Sequence, residues 1–108
     1  MIIRVWYTGR DFFGGVAFDQ EAEKDPSTEA EAVKLAEKCL KSCGGYGPGS
    51  CSAFRLELAN GCMIVVDMAG PGVFRVTHAR NGDADAGNLY GLRECKALLA
   101  GIIKREII

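Results

Sequence analysis

Five cysteines and a single histidine are the residues of this chain whose types and spacing could do chemistry. Thiolate and imidazole are good zinc ligands, and a thiol beside an imidazole is the smallest activated nucleophile. Three of the cysteines fall in the stretch CLKSCGGYGPGSC, residues 39 to 51, which is also rich in glycine. The sequence therefore raises metal binding, thiol catalysis and phosphate binding as candidate functions.

A metal site could draw its ligands from two segments. Cys39 and Cys43 are four residues apart on a predicted helix, and Cys62 and His78 are predicted cross-strand neighbours on the apolar face of a sheet. The chain has no CxxC pair, however, and buried cysteine commonly serves as a small hydrophobic side chain. We therefore expect no cofactor, with a structural metal-binding domain using these four residues as an alternative.

Thiol catalysis would depend on Cys62 and His78 alone. As facing residues of two strands, they would have Cβ atoms about 5 Å apart. No orienting carboxylate and no pair of oxyanion donors can be assigned to them from the sequence. A small thiol enzyme is thus a second alternative, and we expect a non-enzymatic protein.

The glycine-rich stretch is better explained as a helix end and the loop after it. Gly44 and Gly45 follow the last apolar residue of the helical pattern, and Pro48 comes shortly afterwards. A phosphate-binding loop runs from a strand into a helix, whereas the order here is reversed and no Gly-Lys-Ser/Thr follows. A calcium loop with Asp83, Asp85 and Glu94 fits poorly, because the glycine occupies the fifth position instead of the sixth.

The elements that position these residues can be predicted from hydrophobic periodicity. IIRVWYT and FFGGVAF indicate two paired strands, in which Trp6 and Tyr7 lie on opposite faces. A helix follows, starting either at Asp25-Pro26 or at a capping box of Thr28 with Glu31. Its apolar stripe is Val33, Ala36, Leu40 and Cys43, and a closing helix carries a second stripe of Leu92, Cys95, Leu99 and Ile102.

Residues 52 to 79 predict a three-stranded meander. A three-residue loop, Ala59 to Gly61, sets Phe54 opposite Val66 and Leu56 opposite Ile64. A loop over Ala69 to Gly72 then pairs Val66 with Phe74, Ile64 with Val76, and Cys62 with His78. The predicted fold is therefore a single α+β domain, residues 1–108, with an antiparallel sheet in ββαβββα order and two helices packed on its apolar face.

The composition of the chain limits the classes of molecule that we expect it to bind. The net charge of −1, from 13 basic and 14 acidic residues, leaves no basic stripe for nucleic acid. The longest apolar run is far shorter than a membrane span, and the N-terminus lacks the apolar region of a signal peptide. An odd number of cysteines suits thiols in a reducing compartment, so we expect a cytoplasmic location, no nucleic acid and no membrane.

The face of the sheet opposite the helices is the predicted binding surface. It mixes charged and apolar residues, as protein interfaces do, namely Arg55, Glu57, Met63, Val65, Asp67, Arg75 and Thr77. The element order, with VWYTGRD near the start and an acidic-capped helix in the middle, resembles a group of small bacterial toxin-immunity proteins over about the first 80 residues. We expect a protein-binding module, either an immunity-type inhibitor or an accessory protein, that binds a partner protein or forms a homodimer.

Overall fold

An antiparallel strand pair opens the chain. The structure, a computed structural model, describes residues 2–10, 16–43, 53–80, 83–84 and 87–106. Strand β1 (Ile3–Arg10) pairs with β2 (Val16–Lys24), and Ile3 lies opposite Lys24 at one end of the pair. The β-branched and aromatic residues of β1 favour this extended conformation.

The first helix, α1 (Glu29–Ser42), starts at the second of its two predicted caps. The Thr28 hydroxyl accepts a hydrogen bond from the Glu31 N–H at 3.2 Å. In return, the Glu31 carboxylate accepts hydrogen bonds from the backbone N–H and the hydroxyl of Ser27, each at 2.8 Å. The capping box thus reaches one residue further back than its usual form. The predicted cap at Gly44 and Gly45, like residues 46–52, lies outside the described residues.

The meander consists of β3 (Ala53–Glu57), β4 (Met63–Gly70) and β5 (Val73–Arg80). Its first hairpin has the predicted register, with Phe54 opposite Val66 and Leu56 opposite Ile64. Gly61 in the connecting loop has φ of 85°, in the left-handed region where glycine is favoured. Its N–H donates to the Leu58 carbonyl at 2.9 Å, which closes the turn.

The predicted register of the second hairpin is wrong by two residues. Val66 lies opposite Val76, and Ile64 lies opposite His78. The strands continue to Gly70 and resume at Val73, with an irregularity between Met68 and Gly70, so the turn is shorter than the predicted four-residue loop. A shift of two residues moves each pair along the sheet but keeps every side chain on its predicted face.

The segment before the last helix, which its turn-rich sequence predicts to be a loop, contains two short strands. β6 (Asp83–Ala84) and β7 (Asn88–Gly91) both pair with β5, and α2 (Leu92–Glu106) follows at once. Of the residues in the proposed calcium loop, Asp83 lies in β6, Glu94 lies in the first turn of α2, and Asp85 is outside the described residues.

In the described part of the chain, seven strands form one antiparallel sheet in the order β2-β1-β3-β4-β5, with β6 and β7 along the far side of β5. Both helices pack on one face of it, as predicted, because their buried residues share a single core with the even-numbered residues of β3, β4 and β5. That core includes Ile3, Val5, Phe54, Leu56, Ile64, Val66, Ala36, Leu40, Leu99 and Ile103.

Two predicted core positions differ from expectation. Leu92 is 46% exposed, because α2 begins there at the edge of the sheet, and Ile103 joins Cys95, Leu99 and Ile102 in the core instead. Val33 is only partly buried and Ala32 takes the core-facing position in α1. Neither helix in the described residues combines the length and the apolar character needed to cross a membrane.

Candidate functional site

Cys62 and His78 come together at the end of the sheet near the β3–β4 loop. Since His78 lies opposite Ile64, Cys62 is its diagonal neighbour and not its direct partner. The Cys62 Sγ and His78 Nε2 atoms are nevertheless 2.9 Å apart, which is within hydrogen-bonding distance for either tautomer of the imidazole. The predicted contact between Cys62 and His78 is therefore present, although the two strands pair in a different register from the predicted one.

Helix α2 adds a carboxylate to this pair. Glu106 follows Leu99, Ile102 and Ile103 at the spacing of one helical face, so the turn that buries the isoleucines also directs Glu106 inward. Its Oε1 atom is 3.8 Å from His78 Nε2 and 3.6 Å from Arg80 Nη1. Only 7% of the Glu106 side chain is exposed, against 63% for Arg80.

Asn60 ties the loop to the end of α2. Its amide nitrogen donates to Glu106 Oε2 at 2.8 Å and to the Glu106 backbone carbonyl at 3.3 Å. Its amide oxygen accepts a hydrogen bond from the Cys62 N–H at 2.9 Å. One side chain thus satisfies a carbonyl at the C-terminal end of the helix and orients both the carboxylate and the cysteine.

The surroundings of Cys62 disfavour catalysis by its thiol. The side chain is fully buried, and burial raises the pKa of the Cys62 thiol. The Glu106 carboxylate raises that pKa further, while Arg80 acts in the opposite direction. Because the thiolate is the nucleophile, a buried thiol with a raised pKa is a poor candidate for attack on a substrate.

The four-residue metal set that was the alternative interpretation of the sequence is not brought together within ligand distance. Among the described residues, one group of three possible ligands has all its donor atoms within 4.8 Å of one another, namely Cys62, His78 and Glu106. Cys39 and Cys43 lie outside this group, both buried at the end of α1. Burial in the core therefore explains the positions of these two thiols without a metal ion.

The open face of the sheet is centred on Trp6 and Arg55. These two residues are directly opposite each other on β1 and β3, and the Arg55 guanidinium carbon lies 4.2 Å from the centroid of the Trp6 ring. This is a cation–π contact, and the Arg55 Nε is buried beside it without a hydrogen bond. Trp6 is thus a residue of the first strand that joins the predicted binding surface.

The other predicted binding residues surround this stack. Val65 lies opposite both Arg55 and Thr77, and Glu57 lies opposite Met63. Arg75 faces Asp67 with 3.7 Å between Nη1 and Oδ2, and the Arg75 side chain is half-exposed. All seven predicted residues therefore lie on one surface, although the shifted register places Thr77, and not Arg75, in the row of Arg55 and Val65.

Sequence reasoning missed Glu106, Asn60 and Arg80. Glu106 could have been found by extending the apolar stripe of α2 by one turn, since it is four residues after Ile102. Asn60 was identified only as a turn residue, and nothing in its position reveals that a helix end 46 residues later supplies its partner.

Comparison of the chain with protein-family models, with curated proteins and with solved structures finds no match in any of the three.

Proposed function

We propose that this protein is a non-enzymatic protein-binding module that acts through the open face of its sheet. The observation that carries the proposal is the Trp6–Arg55 stack, half-buried at the middle of the face beside Val65 and Met63. Tryptophan and arginine are the residue types most enriched among those that dominate binding energy at protein interfaces. Held against each other, they present a pre-ordered surface that loses little side-chain entropy on binding.

The partner we propose is a second copy of this chain. A two-fold interface must be self-complementary, and this face offers both signs of charge close together, in the pairs Arg75–Asp67 and Arg4–Glu23. In a face-to-face dimer, the half-exposed Arg75 of one copy can bind Asp67 of the other. The edge strand β2 is a poorer route to pairing, because its sequence, VAFDQEAEK, has three acidic residues and one lysine, and like charges across an interface repel.

The same surface also suits an immunity-type inhibitor or an accessory protein in a bacterial cytoplasm. The support is the element order described above, together with four buried cysteines, Cys39, Cys43, Cys62 and Cys95, that form no disulfide. A reducing compartment maintains such thiols.

Sedimentation velocity over a concentration series tests the homodimer. We expect wild type to associate to twice 11.6 kDa and the Arg55→Glu/Arg75→Glu variant to remain a monomer of unchanged circular dichroism. Arg93→Glu/Lys96→Glu is the matched control, with the same change of charge at exposed positions of α2, and it should associate as wild type does. A wild-type monomer at millimolar concentration would contradict the proposal.

A charge swap identifies the face itself. Asp67→Arg should weaken association, since it leaves two arginines facing each other. Asp67→Arg/Arg75→Asp should restore it, because the reversed pair is again complementary across a two-fold axis. Failure of the swap to restore association would show that the dimer uses another surface.

A further inference from the structure

We propose that Cys62, His78 and Glu106 form a binding site for a divalent transition-metal ion, best matched by Zn²⁺. This site is on the helix-covered side of the sheet and is independent of the open face. The ligands would be Cys62 Sγ, His78 Nε2 and Glu106 Oε1, one each of the sulfur, nitrogen and oxygen donors that zinc accepts.

The present distances are close to those of a tetrahedral site. Zinc bonds of about 2.3 Å to sulfur and about 2.0 Å to nitrogen and oxygen imply S–N and N–O separations of about 3.5 and 3.3 Å. The structure has 2.9 Å between Sγ and Nε2 and 3.8 Å between Nε2 and Oε1. Side-chain rotations would change these two separations by about half an ångström. They would also bring the Cys62 and Glu106 donor atoms, which lie within 4.8 Å of each other, to about 3.5 Å.

Hydrogen bonds that would orient two of the three ligands are already in place. Asn60 donates to Glu106 Oε2, which leaves Oε1 directed toward His78, and it also holds the backbone of Cys62. Metal ligands are commonly oriented by such outer hydrogen bonds. Because Asn60 acts through two ligands and not on the ion, it is a positioning residue.

Charge balance also fits a dication. Binding would release the Cys62 thiol proton to solvent, and the resulting thiolate together with the Glu106 carboxylate would neutralise the two positive charges. Arg80 is the opposing group, with Nη1 at 3.6 Å from Oε1. Since 63% of its side chain is exposed, Arg80 can move into solvent when the ion takes its place.

The three ligands come from the residue just before β4, from β5 and from the last turn of α2. An ion bound by them would fasten the C-terminal end of the helix to the sheet. Three protein ligands leave a fourth position for a water molecule. An ion would reach the site from solvent past His78, whose side chain is 22% exposed, because Cys62 is buried.

Zinc titration of the reduced, chelator-treated full chain tests the site. We expect calorimetry to give one Zn²⁺ per chain and native mass spectrometry to show one zinc added per chain. Co²⁺ in place of Zn²⁺ should give a thiolate-to-metal charge-transfer absorption. Wild-type protein that binds no stoichiometric Zn²⁺ would overturn the proposal.

Variants separate this site from other thiols. Cys62→Ala and His78→Gln should each weaken Zn²⁺ binding by more than about 100-fold, and Asn60→Ala by about 10- to 100-fold. Cys39→Ala and Cys95→Ala, which remove equally buried thiols, should bind as wild type does. Binding that survives His78→Gln, or that is lost in Cys39→Ala, would refute the ligand set.

Arg80→Gln provides a test that does not depend on removing a buried group. Because it deletes a cation beside Glu106, it should tighten Zn²⁺ binding, by up to about fivefold for so exposed a charge. This variant and His78→Gln decide the matter if Cys62→Ala fails to fold, as judged by circular dichroism. Weaker binding by Arg80→Gln would contradict the placement of the ion at Oε1.

Discussion

Asn60→Ala should destabilise the protein far more than an exposed turn substitution normally does. Asn60 is an exposed residue of the β3–β4 loop, yet its side chain makes three hydrogen bonds, two to Glu106 and one to the backbone of Cys62. Alanine removes all three and leaves the nearly buried carboxylate without its shortest hydrogen bond. The end of α2 would then lose its connection to the loop.

The magnitude follows from the types of bond. A hydrogen bond to a charged group contributes about 1.5–3 kcal/mol and one between neutral groups about 0.5–1.5 kcal/mol. Since water can reach Asn60, the lower end of each range applies, and the three bonds together contribute about 2.5 kcal/mol. For a domain of this size, the loss should lower the Tm by about 10 °C.

Urea unfolding under reducing conditions with chelator present measures this change. Asn88→Ala is the matched control, because Asn88 is exposed on β7 and should change stability by less than about 0.5 kcal/mol. A double-mutant cycle with Glu106→Ala should show a coupling of at least about 1 kcal/mol. If Asn60→Ala costs no more than Asn88→Ala, the network does not hold the helix end and the reasoning fails.

Three further outcomes are expected. Gly87→Ala should cost about 1–3 kcal/mol in urea unfolding, because φ is +71° and a Cβ would lie 2.8 Å from Thr77 Oγ1, whereas Gly70→Ala has space and should be nearly neutral. Hydrogen bonds from Ser27, first from its backbone N–H and then from its hydroxyl, lower the pKa of Glu31. The stabilisation that Glu31 contributes is therefore present above the unfolded-state pKa of about 4.3, and it is lost as the pH falls through the folded-state pKa. The Tm difference between wild type and Glu31→Gln should therefore shrink on acidification, and a constant difference would contradict this. Burial raises the pKa of Cys95 to about 11, so mass-mapped alkylation at pH 8 should label it only as the protein unfolds; rapid labelling of Cys95 in native protein would count against its burial.

Much of the fold follows from local pattern. The capping box of Thr28 and Glu31, the three-residue loop ending in Gly61 and the alternation of apolar residues in β3 and β4 each specify a local geometry. Such signals are reliable because a glycine with positive φ or a cap involves only neighbours in sequence. They sufficed to predict which side chains share each face of the sheet.

The candidate sites were predictable only in part. Period-two alternation correctly predicted which residues lie on the open face. The register of the second hairpin differs from the predicted one by two residues, and a shift by an even number of residues leaves every side chain on the same face of the sheet. The turn itself was misjudged, since Gly70, Pro71 and Gly72 allow more than one loop length. β7 was missed because Asn88–Gly91 is too short to show alternation.

The sequence by itself determined the α+β class, the two helices and the two faces of the sheet, because those depend on spacing along the chain. Only the tertiary structure decided that Cys39 and Cys43 lie outside the ligand group of Cys62, and that Glu106 meets His78. The physical reason is that the angle at which α2 crosses the sheet, and the point that its last turn reaches, depend on the packing of the whole core. No single segment encodes that packing, so contacts between a helix end and a distant loop emerge only when all the layers are assembled.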